Sequence, residues 1–441
     1  MTRLLRRFQL LIIGVVLVVA AFSTGWPFLF YLVYLAILVI GGAYVMTRLG
    51  LSDLEAGYAV NQLSGHVGDR LRVTYTLRNT SRIPKPWLEV HNPTSLPSGL
   101  PGRAISLGGQ TERSWLVRTP LMRRGHFRVE PLQIRTGDPF GFFESAAAVG
   151  TGVTVVVYPR VEALPLWKLP AANIDGSHAM PERTLQTTPL ATTVRPWAPG
   201  DAFNRIHWKA TARYGDIQVK EFDLEQTSDA WIILDLERAA QAGRGDDSTV
   251  EVAVRAAASI ADRAIRENRA VGLTVNAHRL AQLPPDRGGR QHLKIMQLLA
   301  AVDGDGTSPL SEALVATVPR IRRGMTAVVI SPSLDRDWVK PMAALRARGV
   351  GCVVVSFDIG EFERFAREGR VEGGLLDGEV LDAVTFDDGD GVGDRTPEEP
   401  DPVAAAAQAQ RVRALRHALS EFDVALYTAR PGRPLGEVLA S

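Results

Sequence analysis

Between Arg7 and Arg48 the chain carries no charged side chain for 40 consecutive residues. A stretch of that length and polarity is expected in lipid rather than in water. As one helix it would be about 60 Å long, roughly twice the hydrocarbon thickness of a bilayer. It is punctuated by Ser23-Thr-Gly-Trp-Pro27, a turn signal with an aromatic side chain suited to the interface. Residues 1–50 are therefore expected to form a two-helix transmembrane hairpin, with spans at about 8–24 and 28–46. Arg3, Arg6 and Arg7 precede the first span and Arg48 follows the second, while the short loop between them has no Lys or Arg. The positive-inside rule then places both termini and the soluble domains in the cytoplasm of a multi-pass cell-membrane protein in contact with lipid. A cleaved signal peptide is the alternative for the first span, and it still leaves the second crossing inward.

The 441 residues leave room for two to four domains. A net charge of +2 argues against bulk nucleic-acid binding, which calls for a clear basic excess. The single Cys352 lies in Val350-Gly-Cys-Val-Val-Val-Ser-Phe357, which reads as a buried strand, so a structural thiol is expected rather than a nucleophile.

Residues 51–165 read as a small β-sandwich-like domain. Leu71–Leu77 alternates apolar and polar residues with period two, and Arg113–Arg118, Phe127–Ile134 and Val153–Val157 continue the pattern between Pro- and Gly-rich turns. In Asp138-Pro-Phe-Gly-Phe-Phe143, Asp138 suits turn initiation and Gly141 suits a positive φ; its aromatics are expected to pack between the sheet and a neighbour.

Residues 166–227 form a connecting segment, and the period changes over 228–386. Trp231–Asp235 reads as a buried strand, followed by a helix over Thr249–Glu267. Ser248 and Glu251 form its capping box, and Val250, Val254, Ala257, Ala258, Ala261 and Ile265 its apolar face. Strand Val271–Val275, helices Gln291–Ala301 and Leu310–Ile321, strand Thr326–Ser331, helix Asp337–Arg348 and strand Val350–Phe357 complete an alternation that argues for a doubly wound parallel sheet of the α/β class. Residues 387–402 hold seven acidic residues and one basic residue, as in a solvated linker. Residues 403–441 supply a helix near Val403–Leu419 and a strand at Phe422–Thr428 that rejoins the sheet.

The connecting segment holds the most specific stretch of the chain, Arg195–Arg213, with four basic residues and two Trp. Pro199-Gly200 suits the centre of a type II turn, and Asp201 is placed to cap the helix that follows. There Phe203, Ile206, His207 and Ala210 can share one face, with Arg205, Lys209 and Arg213 on another. Trp208 is suited to anchor the block on the sheet or to stack under a guanidinium. Two roles fit. One is an internal clamp in which Arg195, Arg205 and Arg213 pair acids such as Asp201 and Glu221. The other is a basic site for an anion or a partner's carboxylates.

The spacing Arg195-x-Trp197-x-x-Gly200-Asp201-x-x-x-Arg205-Ile-His207-Trp208-Lys209-Ala-x-Ala-Arg213 resembles the defining block of domain-of-unknown-function family 58, a family of bacterial membrane proteins. Arg124-Gly-His-Phe127, Asp138–Phe143 and the paired apolar spans are similar too. The resemblance implies a von Willebrand factor A-like fold after the block. It also implies genomic association with MoxR-type AAA+ ATPases and often with transglutaminase-like membrane proteins. Metal-binding A-type domains carry Asp-x-Ser-x-Ser, a Thr and a later Asp, oxygen ligands that suit Mg²⁺. Here the first motif is Asp235-Leu-Glu237-Arg-Ala239, Thr307 fits the Thr position, and Asp335 is displaced, so the metal candidates Asp235, Glu237, Thr307 and Asp335 are degenerate. No metal, cofactor or catalytic residue is expected. The leading expectation is a non-enzymatic membrane-anchored scaffold, binding protein through its A-like domain and working with a MoxR-type ATPase in envelope assembly or stress. The alternatives are a metal-dependent hydrolase, a metal-mediated ligand-binding A-type domain, and a ligand-binding module built on the β domain.

Overall fold

The computed structural model describes residues 2–167, 193–198, 201, 203, 206–221, 229–376 and 402–440. Gly200, Arg205 and the acidic linker up to residue 401 lie outside the described residues. The chain divides into two compact units, Met1–Arg160 with Met296–Ala301, and Val161–Ile295 with Val302–Ser441.

The first unit opens with helices α1 (Thr2–Thr24) and α2 (Pro27–Gly50). Gly25 takes φ 65° between them, and Pro27 occupies the first turn of α2, where its missing N–H costs nothing. Among the described residues α2 is the one helix long and apolar enough to cross a membrane. The helix runs on to Gly50, past the span expected over 28–46, and its last turn packs on Thr136. Ala43, Thr47 and Gly50, spaced four and three apart, are buried. A Cβ on Gly50 would fall 2.6 Å from Thr136 Cγ2, so only glycine allows this approach.

Ten strands follow: β1 (Leu54–Val60), β2 (Ser64–His66), β3 (Arg70–Asn79), β4 (Lys85–His91), β5 (Arg103–Leu107), β6 (Glu112–Pro120), β7 (Gly125–Val129), β8 (Leu132–Gly137), β9 (Glu144–Val149) and β10 (Val153–Tyr158). They form sheets ordered β1-β3-β6, β2-β10-β7 and β5-β4-β8-β9. The alternation in β3 buries Leu71, Val73, Tyr75 and Leu77, which join Leu88, Val90, Ile134 and Val155 in one core. The single strand expected over Phe127–Ile134 is two strands. Pro131 has no N–H for a ladder, and the chain breaks at Glu130-Pro131.

The second unit contains β11 (Thr193–Pro196), α3 (Trp208–Tyr214) and β12 (Gln218–Glu221), with β11 and β12 antiparallel. Then come β13 (Ala230–Asp235), α4 (Thr249–Arg266), β14 (Val271–Asn276), β15 (Leu280–Asp286), α5 (Gly288–Ala301, whose last six residues are grouped with the first unit), α6 (Leu310–Thr317), β16 (Thr326–Ile330), α7 (Val339–Ala347), β17 (Gly351–Phe357), α8 (Ile359–Leu376), α9 (Pro402–Ser420), β18 (Ala425–Ala429) and α10 (Leu435–Val438). Six of these strands make a mixed α/β sheet in the order β15-β14-β13-β16-β17-β18. All neighbours are parallel except the edge strand β15.

Ser248 Oγ accepts the Glu251 N–H and starts α4. The buried face of α4 is wider than expected. It adds Val252, Ala253, Ala256, Ile260 and Ala264, while Val250 and Ile265 are only half-buried. The helix expected over Leu310–Ile321 ends at Thr317, and a 3-10 turn holding Pro319 follows. Cys352 is buried in β17, and burial pushes its thiol up to about 12, which removes it as a nucleophile near neutral pH.

Candidate functional site

The strand order reverses its direction of growth at β13, whose neighbours are β14 on one side and β16 on the other. Open sheets leave a crevice beyond the carboxyl ends of the strands at such a point. Asp235 is the last residue of β13 and is 0% exposed.

Its carboxylate is enclosed by donors of the protein. Oδ1 accepts the Glu237 N–H at 3.1 Å and Asn276 Nδ2 at 3.2 Å, and Oδ2 accepts Ser331 Oγ at 2.6 Å. Asn276 ends β14 in register with Asp235 and also donates to Ser308 O. Ser331 follows β16 directly, and its Oγ accepts the Ser333 N–H at 2.9 Å. Burial raises the Asp235 carboxyl above its ordinary range, against the lowering effect of Ser331, the Glu237 N–H and Asn276.

Around this buried centre lie the other acidic candidates. Glu237 is half-buried, and burial followed by the Asp235 and Asp335 charges raises its carboxyl. Asp335 is exposed. Thr307 is exposed on a loop fastened to Glu237 through Gly306, which donates its N–H to Leu236 O and accepts the Arg238 N–H. A Cβ on Gly306 would stand 2.8 Å from Leu236 O, so this loop closes down only with glycine.

The structure thus gathers Asp235, Glu237 and Asp335 within electrostatic reach, with the Thr307 loop beside them. The set does not fit a resident divalent cation. Both Asp235 oxygens are engaged by protein donors, and Ala239 stands where an oxygen ligand would be needed. Asn276, Ser331 and Gly306 were not singled out from the sequence. The signal that could have found the first two is their place, since each stands at or just after the carboxyl end of a strand flanking β13.

The Arg195–Arg213 block is resolved into two kinds of residue. Arg195 grips Asp201 with both terminal nitrogens, each at 2.7 Å, and Asp201 also accepts the Ala198 N–H. Asp201 therefore does not cap α3. His207 does, its Nδ1 accepting the Ala210 N–H at 3.0 Å. A bidentate guanidinium is the stronger partner for a carboxylate, and it takes Asp201 away from the helix end. The backbone N–H of Trp197 donates to Ile217 O, continuing the β11–β12 ladder, and its indole N–H points to Asp201 O at 3.4 Å. Ile206 and Ala210 are buried as expected, while Phe203 is exposed. Trp208 is 70% exposed and so does not anchor the block on the sheet. Lys209 and Arg213 are exposed beside it.

Residues 193–361 match the family described as Protein of unknown function DUF58. The match runs from β11 into α8 and supports the family read from the block. The chain is 26% identical over 351 residues to the Uncharacterized protein YeaD of Bacillus subtilis (strain 168), covering 75% of this chain and 84% of that protein. It is 32% identical over 165 residues to the Uncharacterized protein Rv1480 of Mycobacterium tuberculosis (strain ATCC 25618 / H37Rv), covering 35% of this chain. The same figures hold for the Uncharacterized protein Mb1516 of Mycobacterium bovis, and this chain spans 50% of the length of each. Among solved structures, the CARDB domain of the PF1109 protein from Pyrococcus furiosus covers 24% of this chain and 92% of its own, with 15% identity and a TM-score of 0.18. A likeness of that size carries no argument.

Proposed function

We propose that this protein is a non-enzymatic membrane-anchored scaffold whose six-stranded domain binds a partner protein at the carboxyl end of its sheet. The partner proposed from the family resemblance is a MoxR-type AAA+ ATPase, with α1 and α2 as a transmembrane hairpin and the remainder cytoplasmic. Read as a von Willebrand factor A-like domain, the sheet numbers 3-2-1-4-5-6 from β15 to β18, with its third strand antiparallel at the edge.

One observation carries the reading. The carboxylate at the switch point is buried and satisfied by its own protein, whereas Glu237 and Asp335 around it keep partly or fully exposed charge. Asp235 therefore holds the β13, β14 and β16 ends together, and the rim faces outward. Burial, and after it the Asp235 and Asp335 charges, raise the Glu237 carboxyl, and a Lys or Arg of a partner would relieve the repulsion among them.

The full chain, reconstituted in lipid nanodiscs, tests this by retention of the cognate ATPase with and without ATP. Retention by the parent protein, weakened at least about tenfold by Glu237→Lys with Asp335→Lys, is expected. No retention in either nucleotide state contradicts the scaffold.

A further inference from the structure

The Asp138–Phe143 turn is expected to pack its aromatics between the sheet and a neighbour; Phe143 does so against Tyr44 of α2, whereas Phe140 faces out. Phe140 is 52% exposed and stacks on Phe142 at 5.5 Å between ring centroids. Exposed aromatics on a floppy loop would mean little, but this turn is locked. Asp138 Oδ1 accepts the Phe140 N–H at 2.8 Å and Oδ2 accepts the Phe143 N–H at 2.6 Å. Gly141 takes φ 74° and donates its N–H to Asp138 O. Burial alone would raise the Asp138 carboxyl, yet the backbone N–H groups of Phe143, Phe142 and Phe140 outweigh it and hold the group below its ordinary range. The phenyl rings are presented by a rigid frame.

The frame stands beside α2. The Phe143 ring meets the Tyr44 ring edge-on at 5.6 Å, and Thr136, two residues before Asp138, packs on Gly50. Trp87, also exposed, lies against Gly137 at the start of the turn. Pro27 to Tyr44 is eighteen residues, about 27 Å of helix. That is close to the hydrocarbon thickness of a bilayer, about 30 Å. With the exposed Trp26 at one interface, Tyr44 stands at the other, and the turn stands level with Tyr44. The exposed Arg48 lies one helical turn further out, at the depth of phosphate groups.

We propose that the Phe140–Phe142 turn, with Trp87, seats in the bilayer at the boundary between headgroups and acyl chains. The β domain is thereby held against the membrane surface by its own aromatic foot as well as by α2. Aromatic side chains favour that depth, and the continuity of the patch with the lipid-facing side of α2 selects lipid as the occupant. The inference rests on the reading of α2 as a membrane span.

Nitroxide labels test the seat and the span separately. The native Cys352 is buried, so labels go to introduced cysteines. Full-length Phe140→Cys and Trp87→Cys proteins are reconstituted in vesicles of phosphatidylcholine with phosphatidylglycerol. Leu38→Cys, on the exposed face of α2, marks the span, and Glu112→Cys, exposed on β6, marks water. Relaxation by oxygen is compared with relaxation by a water-soluble nickel chelate. Depths for 140 and 87 shifted from that of 112 toward that of 38 are expected. If 38 lies in lipid while both 140 and 87 match 112, the seat is overturned and the anchor stands. If 38 itself lies in water, the anchor falls and the seat with it. Trp87 is on a strand outside the turn, so its result does not depend on the turn's folding.

Discussion

Replacing Asp235 by Asn is expected to leave the second unit nearly as stable as the parent, while Ala in its place is expected to loosen it severely. In Asp235→Asn the side-chain oxygen still accepts the Glu237 N–H and Asn276 Nδ2, and the new amide donates to Ser331 Oγ. The cost is about 0–1 kcal/mol. Asp235→Ala removes all three bonds and leaves the Glu237 N–H without an acceptor beside a cavity. A buried unsatisfied group costs about 1–3 kcal/mol, so the total is about 3 kcal/mol. At roughly 2–4 °C per kcal/mol for a domain of this size, Ala lowers the unfolding midpoint by about 6–12 °C. The pH dependence separates the variants further. Burial raises the folded Asp235 carboxyl above the unfolded value of about 3.9. Its stabilising contribution is then full below that value and is lost as pH rises through the folded value. The parent should lose ground to Asp235→Asn as pH climbs from about 4 toward neutrality. Thermal unfolding of the full chain in detergent, followed by tryptophan fluorescence across that range, measures both effects. If Asn costs as much as Ala at every pH, the ionised charge itself holds the site, as a bound cation would require, and the internal network is the wrong description.

Three other perturbations follow from the same geometry. Asp138 is held below its ordinary range, so its contribution is present above about pH 3.9 and lost as pH falls through the folded value. Asp138→Asn should cost about 1–2 kcal/mol at neutral pH and progressively less as pH falls below about 3.9, read from unfolding midpoints across that range. Gly306→Ala drives a Cβ onto Leu236 O and Asn276 O and should cost about 1–3 kcal/mol, with faster hydrogen exchange at Leu236 and Arg238. Lys85 is 1% exposed, and its ammonium caps α2 by donating to Leu49 O and Ser52 Oγ. Lys85→Met should leave Leu49 O with the Ser52 Oγ bond alone, at a cost of about 0.5–1.5 kcal/mol, visible as faster exchange in the last turn of α2.

What was legible in the sequence was whatever rests on local pattern. The apolar runs Trp231–Asp235 and Val350–Phe357 are central strands, and continuous burial on both faces gives such runs their composition. Strand β15 was not legible, because Pro284-Pro285 argues against a strand and only an edge position tolerates it. Helix α8 was likewise not anticipated. The block around Arg195 shows a different limit. Asp201 and His207 both can accept a backbone N–H, and which one caps α3 is decided by where Arg195 reaches. The candidate site shows the limit most plainly. Asp235 could be suspected from its place at a strand end, but its partners Asn276 and Ser331 lie 41 and 96 residues away along the chain. The sheet register alone brings them together. The exposure of Phe140 was hidden for the same reason, since apolar character does not say whether a ring faces a core or a lipid.

The proposed protein-binding face at the carboxyl end of the sheet is built over a satisfied, buried Asp235. Its most direct measurement is a titration of the cognate MoxR-type ATPase onto the nanodisc-held full chain. Three proteins are compared: parent, Asp235→Asn, and Glu237→Lys with Asp335→Lys. An unchanged Kd is expected for Asp235→Asn and a Kd raised at least about tenfold for the rim variant. A Kd that is lost in Asp235→Asn and unmoved in the rim variant would contradict the proposal.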